Sequence, residues 1–271
     1  MTSPRRRLDL EIVRRGLLPD RERARAAIAA GRVVVGGAPA TKDGRLVSSG
    51  EAVHVLAPSP RYVGRAGEKL HAALDRFAID VAGRVALDVG ASTGGFTDCL
   101  LQHGAASVLA VDVGRNQLHE RLRTDPRVTS RERTDIRRLD VPSSMAVPPD
   151  VVTVDVSFIA LRTVLPAVLC RSGCGADLVL LVKPQFEADH EVVSRGRGVV
   201  RDPEVWAAVL QGVDGALRGL GAAIMGAMVS PLRGADGNVE FLLHALAPGH
   251  GRAGLGVLDA AALAAEAGTN R

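Results

Sequence analysis

Lysine is nearly absent from this sequence. The chain has 271 residues, 34 of them Lys or Arg, yet only Lys42, Lys69 and Lys183 are lysine. Arginine serves everywhere else, so each lysine asks for a reason. Aromatic residues are scarce too, at 3%. The core must therefore come from Val, Leu, Ala and Ile, which the 46% hydrophobic fraction allows. Three cysteines, Cys99, Cys170 and Cys174, are too few for a disulfide framework. Cys170 and Cys174 sit four apart without a cluster of other ligand-type residues, so no metal site is expected there. No apolar run approaches the roughly 20 residues that span a bilayer. The opening stretch, "MTSPRRRLDLEIVRR", has no apolar h-region, so no secretory signal is expected. These absences point to a soluble cytoplasmic protein with no membrane contact.

What is present is unevenly placed. Residues 1–69 hold 14 Lys+Arg against 7 Asp+Glu, and the remainder holds 20 against 23. A basic unit on a slightly acidic body suggests a nucleic-acid contact surface. A solvated arginine-rich face is the plainer alternative. The first 57 residues read as a small α/β module. Leu8, Ile12, Val13 and Leu17 share one helical face, and "DRERARAAIAAG" is a second helix capped by Asp20 and stopped by Gly31. "RVVVGGAPA" and "EAVHVLAP" are short strands. Residues 58–64, which take in most of "APSPRYV" and Gly64, form a linker.

From residue 65 to 271, strands alternate with helices, which implies a mainly parallel α/β sheet. The strands are "VALDVG", "SVLAVDV", "RVTSRERT", "VVTVDVSF", "LVLLVKP", "AIMGAMVSP" and "NVEFLLHAL". The first runs into a loop of small residues, Gly90, Ala91, Ser92, Gly94 and Gly95, before a helix that begins near Phe96. Small residues let a ligand approach the backbone. Free N–H groups at the helix start would face it. Asp112 ends the next strand, where a carboxylate takes ribose hydroxyls. Asp88 at the head of the loop would repel a pyrophosphate, which argues against a dinucleotide. S-adenosylmethionine fits better: its amino-acid end near Asp88, its ribose on Asp112 and its adenine near Asp135.

The lysines now acquire a context. Asp155 ends one strand and Lys183 the next, and ligands of parallel sheets bind beyond the carboxyl ends of strands. Glu240 precedes an apolar run on the last strand, and Lys69 begins the helix leading into the domain. Arginine cannot usefully lose its proton, whereas a desolvated lysine can. Methylation of a hydroxyl needs such a base. Taken alone, Lys183 reads equally as a salt-bridge partner of Asp155.

The segments "GRAGEKL", "LDVGASTGGFTDCLL", "DVSFIALRTVLPAV", "LVKPQFE", "GVVRDP" and "SPLRGADGNVEF" resemble those of the TlyA-type, hemolysin-like ribosomal RNA 2′-O-methyltransferases. Their catalytic domain is FtsJ-like. The resemblance covers nearly the whole chain. It implies a Rossmann-like, S-adenosylmethionine-dependent methyltransferase sheet of seven strands, with an N-terminal module similar to one found in a ribosomal small-subunit protein. It places a Lys-Asp-Lys-Glu tetrad on Lys69, Asp155, Lys183 and Glu240, and a cofactor loop on Gly90 to Gly95. It implies methylation of a cytidine ribose in 16S or 23S rRNA within ribosomal subunits, without a metal. A same-fold enzyme acting on DNA or a small natural product, and a non-catalytic RNA-binding assembly factor, are the alternatives. The stretch "VSRGRGVV" is unusually basic for the family.

Overall fold

The computed structural model describes residues 4–58, 60–139, 147–249, 251, 254, 256 and 258–269. Ser59 of the expected linker lies outside them. The chain divides into two compact units, Met1–Pro60 and Arg61–Arg271.

In the first unit, β1 (Arg6–Arg7) leads into α1 (Leu8–Arg14) and α2 (Arg21–Ala29). Then follow β2 (Val33–Val35), β3 (Ala38–Pro39), β4 (Leu46–Val47) and β5 (Val53–Val55). β1 pairs with β4, and β2 is flanked by β3 and β5, all antiparallel. The Asp20 side chain accepts from the Arg23 amide at 2.8 Å and starts α2. Leu8, Ile12, Ala27, Ile28, Val33 and Val35 form the core. Leu17 departs from the expected face. α1 ends at Arg14, Gly16 turns the chain at φ +67°, and Leu17 is left exposed beyond it.

Two acids in this unit are buried, which the sequence pattern does not reveal. Asp9 accepts hydrogen bonds from Arg7, Arg21 and Arg25. Burial alone would raise its pKa, but the three guanidinium groups overcome that and hold the carboxyl far below its usual range. Glu11 is held at about 2, first by its hydrogen bonds from Arg14 and against the opposing effect of burial, with Arg15 adding to the drop. The unit's positive charge is thus organised around internal carboxylates.

The second unit starts with α3 (Ala66–Phe77), then β6 (Val85–Val89), α4 (Gly95–Gln102), β7 (Ser107–Val111), α5 (Glu120–Arg123) and β8 (Val128–Arg131). Next come β9 (Val151–Val154), α6 (Leu161–Arg171), β10 (Asp177–Val182), α7 (Pro184–Glu187), α8 (His190–Arg195) and α9 (Pro203–Gly219). β11 (Ala223–Val229), β12 (Phe241–Leu246) and α10 (Ala260–Thr269) complete it. The seven strands lie in the order β11-β12-β10-β9-β6-β7-β8. β8 to β10 run parallel, and β12 inserts antiparallel between β10 and β11. The expected mainly parallel sheet of seven strands is therefore present.

Apolar side chains cover both faces. Leu70, Leu74, Phe96 and Leu100, from α3 and α4, fill one side. Leu165, Trp206, Leu210 and Leu263, from α6, α9 and α10, fill the other. Several strands are shorter than their sequence pattern, and β9 stops at Val154, four residues early. β8 stops before Arg133, whose φ of +53° breaks the extended chain. β12 starts only at Phe241, because Asn238 turns inward and bonds the 198–200 segment. No described helix is long and apolar enough to cross a membrane.

Candidate active site

Strand direction assembles the site. β9 and β10 are parallel, so Asp155 and Lys183 follow their last residues at one edge of the sheet. β12 is antiparallel to β10, with Phe241 opposite Val182. Its entry residue, Glu240, therefore lies at the same edge as the exit residue Lys183. α3 brings Lys69 there from 171 positions away in sequence.

The four side chains form two ion pairs. Lys69 Nζ donates to Glu240 Oε2 at 2.5 Å, and both side chains are buried. Lys183 Nζ stands 2.6 Å from Asp155 Oδ1. That contact is an ion pair without an aligned hydrogen bond; the aligned bond from Lys183 goes to Ser157 Oγ at 2.8 Å. The register accounts for this third partner. Leu180 faces Val154 across β9 and β10, so Lys183 comes level with Ser157. Ser157 is a site residue that sequence reading missed, since nothing marks it among ordinary serines.

A cavity of about 530 Å³ opens beside Asp155. Gly90, Ser92, Asp112 and Asp135 line it, together with Asp155, Ser157 and Phe158. Asp112 accepts from the Ser92 amide at 2.8 Å and the Gly114 amide at 2.6 Å, so its carboxylate is fixed in the wall. Asp135 caps a short turn and pairs with Arg137 at 2.6 Å. Its hydrogen bonds from Arg137 hold its carboxyl below the usual range.

Other expected cofactor residues are placed differently. Asp88 does not line the cavity. It is fully buried beneath the loop and accepts from Thr97 Oγ1 at 2.7 Å and Thr153 Oγ1 at 2.9 Å. Burial pushes its carboxyl up to about 6; the threonine hydroxyls pull it down and the Asp155 charge adds to the rise. Asp88 thus ties β6, α4 and β9 together under the loop, where the sequence suggested a direct ligand contact. Ala91, Gly94, Gly95 and Phe96 also lie off the cavity wall. The loop's small residues have internal causes. A Cβ on Gly90 would stand 2.3 Å from the Asp155 carbonyl oxygen, and one on Gly94, at φ +96°, would strike Leu122. Gly90 in particular is what lets the loop close onto the Asp155 strand end.

Phe158 is the second site residue missed from sequence. It is 92% exposed, with φ +63°. Its ring leans on Phe186 at 5.3 Å between centroids, and Lys183 Nζ lies 5.9 Å from the Phe186 ring. An aromatic held outward in a strained backbone at a cavity rim is a functional signal. Sequence offers only its position, directly after a strand-end carboxylate in a chain with few aromatics.

A Rossmann-like sheet with an acid-ended second strand, a tight Gly-rich turn and paired lysines at its carboxyl edge defines the class. Residues 62–246 match the FtsJ-like methyltransferase family, and residues 6–53 match the S4 domain. The chain belongs to the TlyA family of FtsJ-like methyltransferases. It is 48% identical over 240 residues to a 16S/23S rRNA (cytidine-2′-O)-methyltransferase TlyA of Mycobacterium tuberculosis, covering 88% of this chain and 89% of that one. It is 33% identical over 183 residues to a 23S rRNA (cytidine-2′-O)-methyltransferase TlyA of Campylobacter jejuni, covering 68% and 70%. A solved structure of a hemolysin-named protein from Streptococcus thermophilus superposes with a TM-score of 0.74 at 37% identity, covering 98% and 96%.

Proposed function

We propose that this enzyme transfers a methyl group from S-adenosylmethionine to the ribose 2′-oxygen of a cytidine in 16S or 23S rRNA, within ribosomal subunits. The observation that carries the reading is the two lysine–carboxylate contacts at one sheet edge, Lys69–Glu240 buried and Lys183–Asp155 half-buried, with Asp155 on the wall of a nucleoside-sized cavity. The named relatives support the rRNA acceptor over DNA or a small natural product.

The cavity fits the cofactor. Its volume falls in the range of small-molecule sites, about 300–1,000 Å³. Asp112 is held by two backbone amides with a remaining lone pair for a ribose hydroxyl. Asp135 stands further along the same wall for the adenine. When bound, the sulfonium supplies a methyl group that is already activated. The protein's own task is to position the 2′-oxygen and deal with its proton. Lys183 either receives that proton on a neutral Nζ or, as the ammonium, hydrogen-bonds the 2′-oxygen while solvent takes the proton, with Ser157 and Asp155 beside its Nζ. Lys69 and Glu240 set the charge at the neighbouring register position. Phe158 offers an open ring face on which the acceptor base stacks. The S4 domain and the basic first unit supply RNA affinity without performing chemistry.

The test is incorporation of label from S-adenosylmethionine into 30S subunits, 50S subunits, naked rRNA and DNA in parallel. Label appearing at a cytidine 2′-oxygen of rRNA is expected. Label confined to DNA, or absent from every RNA, overturns the reading.

A further inference from the structure

Two motifs that carry the family resemblance, "GVVRDP" and "SPLRGADGNVEF", contribute only Glu240 to the tetrad. The rest of both motifs meets elsewhere. They wall a second cavity of about 410 Å³, lined by Val200, Arg201, Trp206, Arg233, Asp236 and Gly237. Asn238, 1% exposed, joins them: its Nδ2 donates to the Gly198 carbonyl at 2.9 Å, and its Oδ1 accepts from the Val200 amide at 2.9 Å. Trp206 adds a bond from its Nε1 to the Val200 carbonyl at 3.2 Å. The backbone on which Arg201 stands is thus fixed at several points.

The same loop reaches the tetrad. The Gly234 amide donates to the Asn238 carbonyl at 2.9 Å, and a Cβ on Gly234 would lie 2.7 Å from Glu240 Oε1. Arg65, four residues before Lys69, donates to the Arg233 carbonyl at 3.2 Å. The cavity is therefore built onto the support of the Lys69–Glu240 pair, and is lined by a different set of residues from the cofactor cavity. Arg201, Arg233 and Asp236 are exposed, so its wall opens to solvent. The wall carries two guanidinium groups and one carboxylate, and Arg233 Nη1 donates to the Gly237 carbonyl at 3.3 Å.

We propose that this second cavity receives a backbone phosphate of the RNA next to the target nucleotide, held by Arg201 and Arg233. Guanidinium groups match phosphate oxygens in geometry and charge. A rigid frame shared with Glu240 would hold that phosphate in a set relation to the reacting ribose. An exposed rim admits a polymer passing through. The inference rests on the RNA reading above and deepens it: the catalytic unit takes hold of the acceptor strand itself, independently of the S4 domain.

The experiment uses the full chain with Arg201→Gln, Arg233→Gln, the double variant, and Arg→Lys at each position. Binding to naked rRNA is measured across a salt series. KM for intact subunits, kcat and S-adenosylmethionine affinity are measured alongside. Each Gln variant should weaken RNA binding by about tenfold or more, as loss of one charged hydrogen bond implies. The slope of log affinity against log salt should flatten by about 1 per arginine removed. The Lys variants should restore the slope, with cofactor affinity and melting temperature unchanged throughout. Parental affinity and slope in the double variant overturn the proposal. So does a loss seen on intact subunits but not on naked rRNA, which assigns the surface to a ribosomal protein. So does a fall in melting temperature that the Lys variants do not repair, which makes the arginines structural braces. If the parent methylates no rRNA, the proposed function fails on its own account, and the salt slope still decides this inference because it is read without turnover.

Discussion

Lys183→Arg separates the two readings of the lysine from which the sequence analysis began. The side chain is 11% exposed, lies 2.6 Å from Asp155 and donates to Ser157 at 2.8 Å. At an effective dielectric of about 20, two charges at that separation attract by roughly 6 kcal/mol before desolvation is subtracted. Removing one partner of a fully buried pair costs about 3–5 kcal/mol, so this half-buried pair sets that as the upper bound for the loss of stability in Lys183→Met. Arginine keeps the charge and so should keep most of that stability. What it cannot do is give up its proton. If Lys183 handles the 2′-hydroxyl proton, kcat should fall by about 10²- to 10⁴-fold, the usual contribution of general base catalysis. Single-turnover methylation of subunits at saturating cofactor reads the rate, calorimetry reads cofactor affinity, and thermal denaturation reads the fold. A folded arginine variant that binds cofactor normally and turns over near the parental rate refutes the proton-handling role. It would leave Lys183 as the ion-pair partner of Asp155 and nothing more.

Asp112→Ala should weaken S-adenosylmethionine binding by about 1–3 kcal/mol, the value of a charged hydrogen bond; unchanged affinity by calorimetry dismisses the ribose contact. Phe158→Ala should lower kcat on subunits at least tenfold while leaving cofactor affinity intact, and a parental rate would show that the exposed ring has no part in holding the acceptor. Asp88 has a folded pKa near 6 against 3.8 for the ordinary group, so its contribution to stability is full below about pH 4 and is lost as pH rises through 6. Two units at about 1.4 kcal/mol each make roughly 3 kcal/mol. Asp88→Asn should therefore gain that much on the parent between pH 4 and pH 7 in chemical denaturation, and a difference that stays flat over the window contradicts the burial argument. Deleting residues 1–60 should spare the fold of the second unit and abolish methylation of intact subunits; full-rate methylation by the truncated chain would reduce the basic unit to a solvated surface.

Much of the site was legible because strand ends are legible. Asp155 and Lys183 each close an apolar run, and parallel pairing then brings them together. Glu240 was legible for the complementary reason that it opens one. Pairing was not: nothing in sequence couples Lys69 to Glu240 across 171 positions. Asp88 shows where the sequence leaves two placements open. A carboxylate at the head of a Gly-rich turn can face the ligand or the sheet beneath, and only Thr97 and Thr153, supplied by other segments, decide for the sheet. Leu17 fits a helical face by spacing, yet Gly16 ends the helix before it. Phe158 and Ser157 became visible only once the register and the exposure of each side chain were known. The arginine cluster on Asp9 was equally hidden, since a charged residue at a core position breaks the pattern by which cores are read.

β12 is the last strand among the described residues and yet lies inside the sheet, between β10 and β11. During synthesis, β10 must therefore wait with an open edge until residue 246 has emerged, and β11 has no partner in the sheet until then. Glu240 arrives in that same event. A chain interrupted earlier can form the Gly-rich turn, Asp112 and the Lys183–Asp155 contact, but never the Lys69–Glu240 pair. Pairing of β12 and completion of the tetrad are thus one step, and α10 is added to a sheet that already carries all four side chains.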